Sequence, residues 1–150
     1  MTLTIRPPTR DDEAAWRVLW TGYLDFYQSS VSEAVYRTTF DRFFLDAPFE
    51  PRCLMAFEDG QAVGLVHFIY HRHCWRAENV CYLNDLFTDP ARRGGGIGGA
   101  LIEAVYAAAG AAGAARVYWL TADDNHTARR LYDRVASLTP FIKYEKDVSG

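Results

Sequence analysis

Lysine is almost absent from this chain. Its 16 positive charges are nearly all arginine, and the two lysines, Lys143 and Lys146, lie near the end of the sequence. A nucleoside-triphosphate loop of the form GxxxxGK[ST] needs a lysine after its glycines, so this shortage excludes that class of phosphate site. The formal net charge of -3 and the pI near 5.8 argue against a dedicated nucleic-acid partner.

Cysteines are also few. Cys53, Cys74 and Cys81 form no CxxC pair and leave an odd count. This pattern disfavours a disulfide framework or a zinc site and favours a reducing, cytoplasmic environment. The sequence has no signal-like N-terminal stretch. Its most apolar segment, residues 98–120, is broken by two charged residues and four glycines. We interpret that segment as a buried helix followed by a strand, and we expect no membrane partner.

The pattern of the 150 residues predicts one α/β domain spanning positions 1–150. Aromatic residues at helical spacing predict two helices after the first strand, and Asp59-Gly60 predicts a hairpin turn. The later strands alternate with helices, so the predicted order is β-α-α-β-β-β-α-β-α-β. The predicted strands are Leu3–Arg6, Cys53–Glu58, Ala62–His71, Val80–Thr88, Arg116–Thr121 and Phe141–Lys146, and the later helices are Gly98–Ala112 and Asn125–Ala136.

A glycine-rich loop lies between a predicted strand and a predicted helix. Five of the six residues from Gly94 to Gly99 are glycine, and Arg92 and Arg93 precede them. Backbone N–H groups of such a loop, together with the positive end of the following helix, form an anion site. Glycines also let the backbone approach a bulky diphosphate closely. The loop therefore favours anion binding over a plain turn.

The same loop fits a dinucleotide fingerprint. Gly94, Gly96 and Gly99 satisfy GxGxxG, and Asp123 and Asp124 lie where a ribose-binding acid would be placed. That fingerprint normally opens a doubly wound domain, whereas about ninety residues precede it here. A dinucleotide-dependent enzyme stays open as a hypothesis, and stabilisation by NAD but not by coenzyme A would favour it.

The loop resembles the acetyl-CoA motif of the GCN5-related N-acetyltransferases (GNAT). The motif R/Q-x-x-G-x-G/A is filled by Arg93, Gly96 and Gly98, and the family's N-x-x-A-x-x-x-Y segment is matched by Asn125, Ala128 and Tyr132. The similarity extends to the polyamine and Hpa2-like small-amine acetyltransferases of the family. It implies the GNAT fold, in which helices flank a mixed, mostly antiparallel central sheet, and a single N-acetyltransferase domain.

The resemblance implies transfer of an acetyl group from acetyl-CoA to a primary amine by direct attack in a ternary complex, without a metal. In the family, backbone groups of the strand and glycine loop hold the cofactor, a backbone N–H near Leu86 stabilises the carbonyl oxygen, and Tyr132 corresponds to the general acid. The residues that correspond to the cofactor site are Leu86, Phe87, Thr88, Arg93, Gly94, Gly95, Gly96, Ile97, Gly98, Gly99, Asn125 and Ala128.

The base that deprotonates the amine is less clearly marked. Polyamine members carry a glutamate and an aspartate on this strand, whereas this chain has Asn84 and Asp85. Asparagine can orient an amine but cannot take its proton, so Asp85, acting directly or through water, is the predicted base. Two structural alternatives stay open. Asp85 can be a carboxylate that bonds neighbouring groups, and Tyr132 can belong to an apolar helix stripe with Ala128.

Three histidines near the middle of the chain allow more than one interpretation. His67 and His71 share a strand face, as does His73 if the strand extends. A zinc site needs a fourth ligand that the sequence does not identify, so we expect no metal. The histidines then border the acceptor pocket or are half-buried strand residues. Trp75 and Glu78 are predicted acceptor contacts from their position alone.

The acceptor is predicted from the resemblance to be a small primary amine or an amino acid. Two alternatives are an acetyltransferase acting on protein amino groups, as histone-directed members do, and a non-catalytic module that binds coenzyme A. A homodimer is common in the family, and Phe141–Lys146 is the element expected at that interface.

Overall fold

The computed structural model describes residues 2–149. The strands are β1 (Leu3–Arg6), β2 (Arg52–Glu58), β3 (Gln61–His71), β4 (Val80–Thr88) and β5 (Val117–Tyr118). The α-helices are α1 (Glu13–Phe26), α2 (Glu33–Arg42), α3 (Ile97–Ala111) and α4 (His126–Val135), and short 3-10 turns occupy Arg10–Asp12 and Pro90–Arg92. The chain divides into two compact units, one ending at Leu120 and one beginning at Thr121.

The first unit contains one mixed sheet with the strand order β1-β2-β3-β4-β5. The first three pairings are antiparallel, and β4 pairs with β5 in parallel. Asp59 and Gly60 both have positive φ, 49° and 82°, as the tight turn of the β2–β3 hairpin requires. The predicted fold class, a mixed and mostly antiparallel sheet of the GNAT type, is confirmed.

Helices α1 and α3 cover opposite faces of this sheet. Leu65 packs in a cluster with α1, whereas a Cβ on the neighbouring Gly64 would contact Ile97 and Leu101 of α3. Successive residues of a strand point to opposite faces, which explains the division. The cluster on the α1 side is rich in aromatic rings: Trp16, Trp20, Phe40, Phe57 and Phe87 are all at least nine-tenths buried. The aromatic helix face predicted from the sequence is therefore core.

Strand β4 contains an irregularity that the sequence pattern did not predict. His67 lies opposite Asp85 and Phe68 lies opposite Leu83, so Asn84 has no residue opposite it on β3. Such a bulge bends the strand and redirects neighbouring side chains. It places Asn84 beside the carboxylate of Asp85 rather than in the regular alternation of the ladder.

Strand β5 is shorter than the predicted Arg116–Thr121. It pairs with β4 at two positions only, Val117 opposite Cys81 and Tyr118 opposite Tyr82. Beyond Tyr82, the rest of β4 has no pairing with β5. Strand β5 ends where this pairing ends, because a strand is defined by its paired backbone.

The second unit contains α4 and an extended tail. The predicted last strand, Phe141–Lys146, is wrong, because residues 141–146 form no strand. Their apolar pattern suggested a half-buried strand, yet the side chains of Phe141 and Tyr144 are 83% and 90% exposed. Apolar alternation alone does not make a strand without a paired neighbour. Across residues 2–149, no helix has the length and apolar character needed to cross a membrane.

Candidate active site

A buried carboxylate lies at the centre of the first unit. Asp85, 8% exposed on β4, accepts a hydrogen bond from Nδ2 of Asn84 at 2.7 Å. Its other oxygen lies 2.8 Å from Nδ1 of His67 on β3. The phenol of Tyr23, from α1, lies within electrostatic reach of this carboxylate. Three elements therefore converge on one anionic group.

These contacts set the ionisation of the group. Burial raises the pKa of Asp85, but the hydrogen bond and the charge interaction with His67, followed by the Asn84 hydrogen bond and a smaller contribution of Tyr23, outweigh burial. They hold the pKa of Asp85 below its usual value. For Tyr23, burial and the neighbouring Asp85 charge raise the pKa of the phenol well above its ordinary range. Asp85 is therefore a carboxylate, and Tyr23 is a neutral phenol. An anion stabilised in this way is better suited to attract a cation than to accept a proton directly.

Trp16 completes the network from the core side. Its indole Nε1–H donates to Nε2 of His67 across 2.9 Å, and both residues are buried. Indole nitrogen is a donor only, so Nε2 of His67 must be the acceptor. The single proton of the neutral imidazole then lies on Nδ1 and is donated to Asp85.

The glycine loop has the backbone geometry of an anion site. Gly94 and Gly96 adopt left-handed conformations with φ of 89° and 82°, and Gly96 is the N-terminal cap of α3. The three residues Gly94, Gly95 and Gly96 are exposed, and the space where a Cβ of Gly94 or Gly96 would lie is open. The first N–H groups of α3 have no partner within the helix. The residues present therefore fit a diphosphate.

The two arginines before the loop already contact other groups of the protein. Arg92 pairs with Glu58 at 2.8 Å, which offsets its charge. Arg93 donates from Nε to the carbonyl of Thr88 and lies over the rings of Phe87 and Phe26 at 5.6 and 6.0 Å. Arg93 is exposed and keeps its cationic head beside the loop, so of the two it is better placed to meet an anion.

A cleft of about 420 Å³ lies between α1 and the end of β4. It is lined by Val18, Leu19, Gly22, Asp25, Phe26, Phe87, Asp89, Pro90 and Arg93. Its walls are mostly apolar, with two carboxylates and one guanidinium at the rim. The cleft shares Arg93 and Phe87 with the predicted cofactor residues.

The strand residues predicted to contact the cofactor do not all face the same way. Phe87 is buried and turns towards α1, where its ring lies against Gly22. Leu86 and Thr88 are half-buried and alternate with it. They belong to the part of β4 that lies beyond the pairing with β5. Backbone groups on that edge are the ones that an extended amide chain could bind.

The residues of the second motif lie on α4. Asn125 is its N-terminal cap, and its Oδ1 accepts from the backbone N–H of Ala128 at 3.5 Å while Nδ2 lies 3.4 Å from the Thr121 hydroxyl. Tyr132, two turns later, is half-buried. The Asn125 side chain is thus already used as a helix cap, which the sequence argument did not anticipate.

The three histidines do not form a cluster. His67 lies in the buried network, whereas exposed His71 bonds the Arg72 carbonyl and the Tyr118 hydroxyl. His73 accepts from the backbone N–H of Trp75. Within residues 2–149, no group of three or more His, Cys, Asp or Glu side chains could hold a metal ion. Trp75 is 85% exposed, and Glu78 is exposed as well.

Sequence reasoning did not predict the role of Trp16 in this network. Helical spacing places Trp16 and Tyr23 on the aromatic face of α1, which is usually core and which the family resemblance places along the acceptor groove. The structure adds that the indole nitrogen of Trp16 joins that face to His67, the partner of Asp85. The available signal was indirect: a buried indole or phenol needs a partner, and the polar residues His67 and Asp85 stand in otherwise apolar strands.

Comparisons with known proteins agree with this architecture. The chain is 38% identical over 138 residues to the D-amino-acid N-acetyltransferase HPA3 of Saccharomyces cerevisiae, covering 91% of this chain and 85% of the relative. Two solved structures share its fold. One is a ribosomal-protein-alanine N-acetyltransferase from Brucella melitensis, with 18% identity, a TM-score of 0.80, and coverage of 98% and 99%. The other is the aminoglycoside N-acetyltransferase AAC(6')-Iy in complex with CoA, with 17% identity, a TM-score of 0.82, and coverage of 99% and 96%.

The family model described as the acetyltransferase (GNAT) family matches residues 16–136. That range includes the Trp16–His67–Asp85 network, the glycine loop and α4. The match spans most of the chain, and it agrees with the similarity to the yeast D-amino-acid N-acetyltransferase. The chain belongs to the GNAT family and is an N-acetyltransferase.

Proposed function

We propose that this enzyme transfers the acetyl group of acetyl-CoA to the primary amine of a small molecule, with amino acids among its acceptors. The reaction is direct attack by the amine in a ternary complex. The observation that carries this proposal is the juxtaposition within the first unit of an exposed glycine loop, a stretch of β4 that is not paired with β5, and a buried carboxylate on that same strand. The first two suit a diphosphate with an amide-bearing arm, and the third suits an ammonium.

The cofactor residues follow from the loop and strand. The N–H groups of Gly94, Gly96 and the first turn of α3 would bind the diphosphate, with the Arg93 guanidinium beside them. Backbone groups of Leu86 to Thr88 would bind the pantetheine amides. Acetyl-CoA supplies the activated acyl group, and a backbone N–H near Leu86 would stabilise charge that develops on its carbonyl oxygen.

Two residues are proposed to handle protons and charge during transfer. Tyr132 would donate a proton to the departing thiolate, as the family motif on α4 suggests. Asp85 would act on the incoming amine. Its lowered pKa and its hydrogen bonds with Asn84 and His67 favour an electrostatic role, in which proton removal proceeds through water and not by direct transfer to Asp85. Asn84, which donates to Asp85, would help to orient the amine.

The choice of acceptor is supported by the yeast relative, whose name gives D-amino acids as its substrates. The burial of the Asp85 carboxylate between α1 and two strands also suits one ammonium better than a long peptide. A small amine would then place its ammonium near Asp85.

The experiment is a screen of acceptors by thiol release from acetyl-CoA. The panel contains D- and L-amino acids, polyamines and a lysine-containing histone peptide. Turnover with amino acids or small amines supports the proposal, and turnover with the peptide alone would replace it by protein acetylation. Tight acetyl-CoA binding without any turnover would make the protein a binding module. Thermal stabilisation by NAD but not by CoA would favour the dinucleotide alternative.

The same proposal includes a homodimer in the cytoplasm. The tail exposes apolar side chains, among them Phe141 at 83% and Ile142 at 79%, and exposed apolar clusters mark interaction surfaces. Light scattering on the full chain tests this directly. A mass of two chains, reduced to one by the double change Phe141→Ser and Ile142→Ser, is expected, whereas a monomer at all concentrations would reject it.

A further inference from the structure

We propose that Tyr82 of β4 and Tyr118 of β5 form the surface that binds the side chain of the acceptor, so that amino acids with an aromatic ring are preferred. This inference rests on the proposed function, since it names the class of amine that the site takes. The two rings form a stack, they mark the point where the pairing of β4 with β5 ends, and Tyr82 shares a sheet face with Asp85.

The two tyrosines form one flat aromatic surface. Their ring centroids are 5.1 Å apart and their planes differ by 26°, which is the geometry of a stack. Tyr118 is 37% exposed and Tyr82 is half-buried, so the surface can be reached by a ligand. Nε2 of His71 lies 2.7 Å from the Tyr118 hydroxyl, and this hydrogen bond holds the outer ring in place.

This surface lies at the closed end of the opening between β4 and β5. The two strands pair at Cys81 with Val117 and at Tyr82 with Tyr118. In the described part of the chain, residues 83–88 of β4 are not paired with β5. The proposed cofactor arm enters this opening from the other end, beside the glycine loop. The closed end, where the tyrosines lie, is then left for the acceptor.

The bulge on β4 turns Tyr82 to the same sheet face as Asp85. Residues three positions apart on a regular strand point to opposite faces. Here Asn84 has no residue opposite it, so His67 lies opposite Asp85, and Ile69 lies opposite Tyr82. His67 and Ile69 are two positions apart and share one face, as do the residues opposite them. The carboxylate and the aromatic surface therefore both lie on the face that α1 covers.

The register between β3 and β4 also sets the spacing of the acceptor site. Val66 lies opposite Leu86, the region of the proposed carbonyl donor, and Ile69 lies opposite Tyr82. Three residues of extended strand span about 10 Å, and the two from Asp85 to the level of Tyr82 span about 7 Å. An ammonium beside Asp85 would therefore have room for a single ring before the tyrosines. A ring in that position gains stacking energy from the tyrosine faces.

The first test compares acceptors in matched variants. We would measure kcat/KM for glycine, putrescine and phenylalanine, the last in the enantiomer that reacts in the acceptor screen, and we expect phenylalanine to be preferred. In Tyr118→Ala, the ratio of kcat/KM for phenylalanine to that for glycine should fall roughly tenfold, because the stack is lost. Tyr118→Phe keeps the ring and should keep the ratio. Tyr70→Ala, which removes a tyrosine from the opposite face of β3, is the control and should also keep it.

A second measurement needs no turnover. In protein labelled at tyrosine, the ring signal of Tyr118 is identified by its absence from the spectrum of Tyr118→Phe. With coenzyme A present, addition of D- or L-phenylalanine should shift this signal until it saturates, because of the ring current of a stacked ligand. Glycine at the same concentrations should not shift it.

The two measurements separate failure of this inference from failure of the proposed function. Acetylation of amines with no shift of the Tyr118 signal would overturn the inference alone. An unchanged ratio in Tyr118→Ala, or a preference for glycine or putrescine over phenylalanine, would overturn it as well. Absence of turnover with every amine would instead reject the proposed function, and the shift of the Tyr118 signal would then decide whether the surface binds aromatic amino acids.

Discussion

The ring of Phe87 on β4 lies directly against Gly22 of α1. A Cβ built on Gly22 would be 2.7 Å from one ring carbon and 2.9 Å from another. Both residues line the cleft beside the glycine loop. Gly22→Ala should therefore cost about 1–3 kcal/mol through overpacking, offset by a gain of about 1 kcal/mol in helix propensity, so we expect a net loss of stability of up to about 2 kcal/mol. Urea unfolding measures this change.

Gly110 in α3 is the matched control for that substitution. A Cβ there meets nothing within 4 Å, and Gly110 does not have a positive φ. Gly110→Ala should stabilise the protein by about 0.5–1 kcal/mol. If both alanine variants gained stability, the close approach of Phe87 to α1 would be incorrect.

The glycine loop is tested by a pair of glycines with the same backbone conformation. Gly96 in the loop and Gly60 in the hairpin turn both have φ of 82° and open space at the Cβ position. Alanine at either site should cost about 1–2 kcal/mol of stability from the left-handed conformation. Only Gly96→Ala should also weaken binding of coenzyme A, measured by isothermal titration calorimetry. Equal affinities in the two variants would place the diphosphate elsewhere.

The network around Asp85 makes stability depend on pH. The folded-state pKa of Asp85 lies below its usual value, so the unfolded chain binds more protons at acid pH. The stabilisation is complete above the unfolded pKa of about 3.9 and is lost as pH falls through the lower folded pKa. Asp85→Asn should cost about 2 kcal/mol at pH 7, and less as the pH approaches that window. Chemical unfolding at a series of pH values shows whether the free energies of unfolding of the wild type and Asp85→Asn converge at acid pH. Asp147→Asn, in the exposed tail, is the control.

The general acid is tested by removing one oxygen atom. Tyr132→Phe should lower kcat by about 10²–10⁴ while binding of coenzyme A is retained. Tyr144→Phe, at a tyrosine that is 90% exposed in the tail, is the control and should leave kcat unchanged. A Tyr132→Phe enzyme of normal kcat would make Tyr132 a structural residue of α4, the alternative that its helical spacing also allows.

Local patterns predicted most of the fold, because its elements carry local signals. The Asp59-Gly60 turn has the residues that two positive φ angles require, and strand β4 has the bounds expected from its apolar alternation. The last predicted strand failed for the opposite reason. Its alternation at residues 141–146 was strand-like, but a strand is completed by pairing with a distant segment, which a local pattern does not report.

The same distinction applies to the candidate site. Asp85 and Asn84 were predicted from the family resemblance, because they lie where the polyamine members carry an aspartate and a glutamate. The bulge that brings Asn84 to the Asp85 carboxylate, and the pairing that sets His67 opposite it, depend on the register between β3 and β4. Trp16 joins the site through the single polar atom of a side chain that otherwise packs as core. Such bonds are fixed by packing and not by spacing along the chain.

We expect acetyl transfer from acetyl-CoA to a small amine to proceed without a covalent acetyl-enzyme. Mass spectrometry of a reaction with ¹³C-labelled acetyl-CoA and the best acceptor of the screen distinguishes direct transfer from transfer through the protein. We predict an N-acetylated product carrying the label, and protein of unchanged mass after incubation with labelled acetyl-CoA alone. A labelled protein that then passes its acetyl group to the amine, or CoA release with no labelled amine, would contradict direct transfer to a small amine.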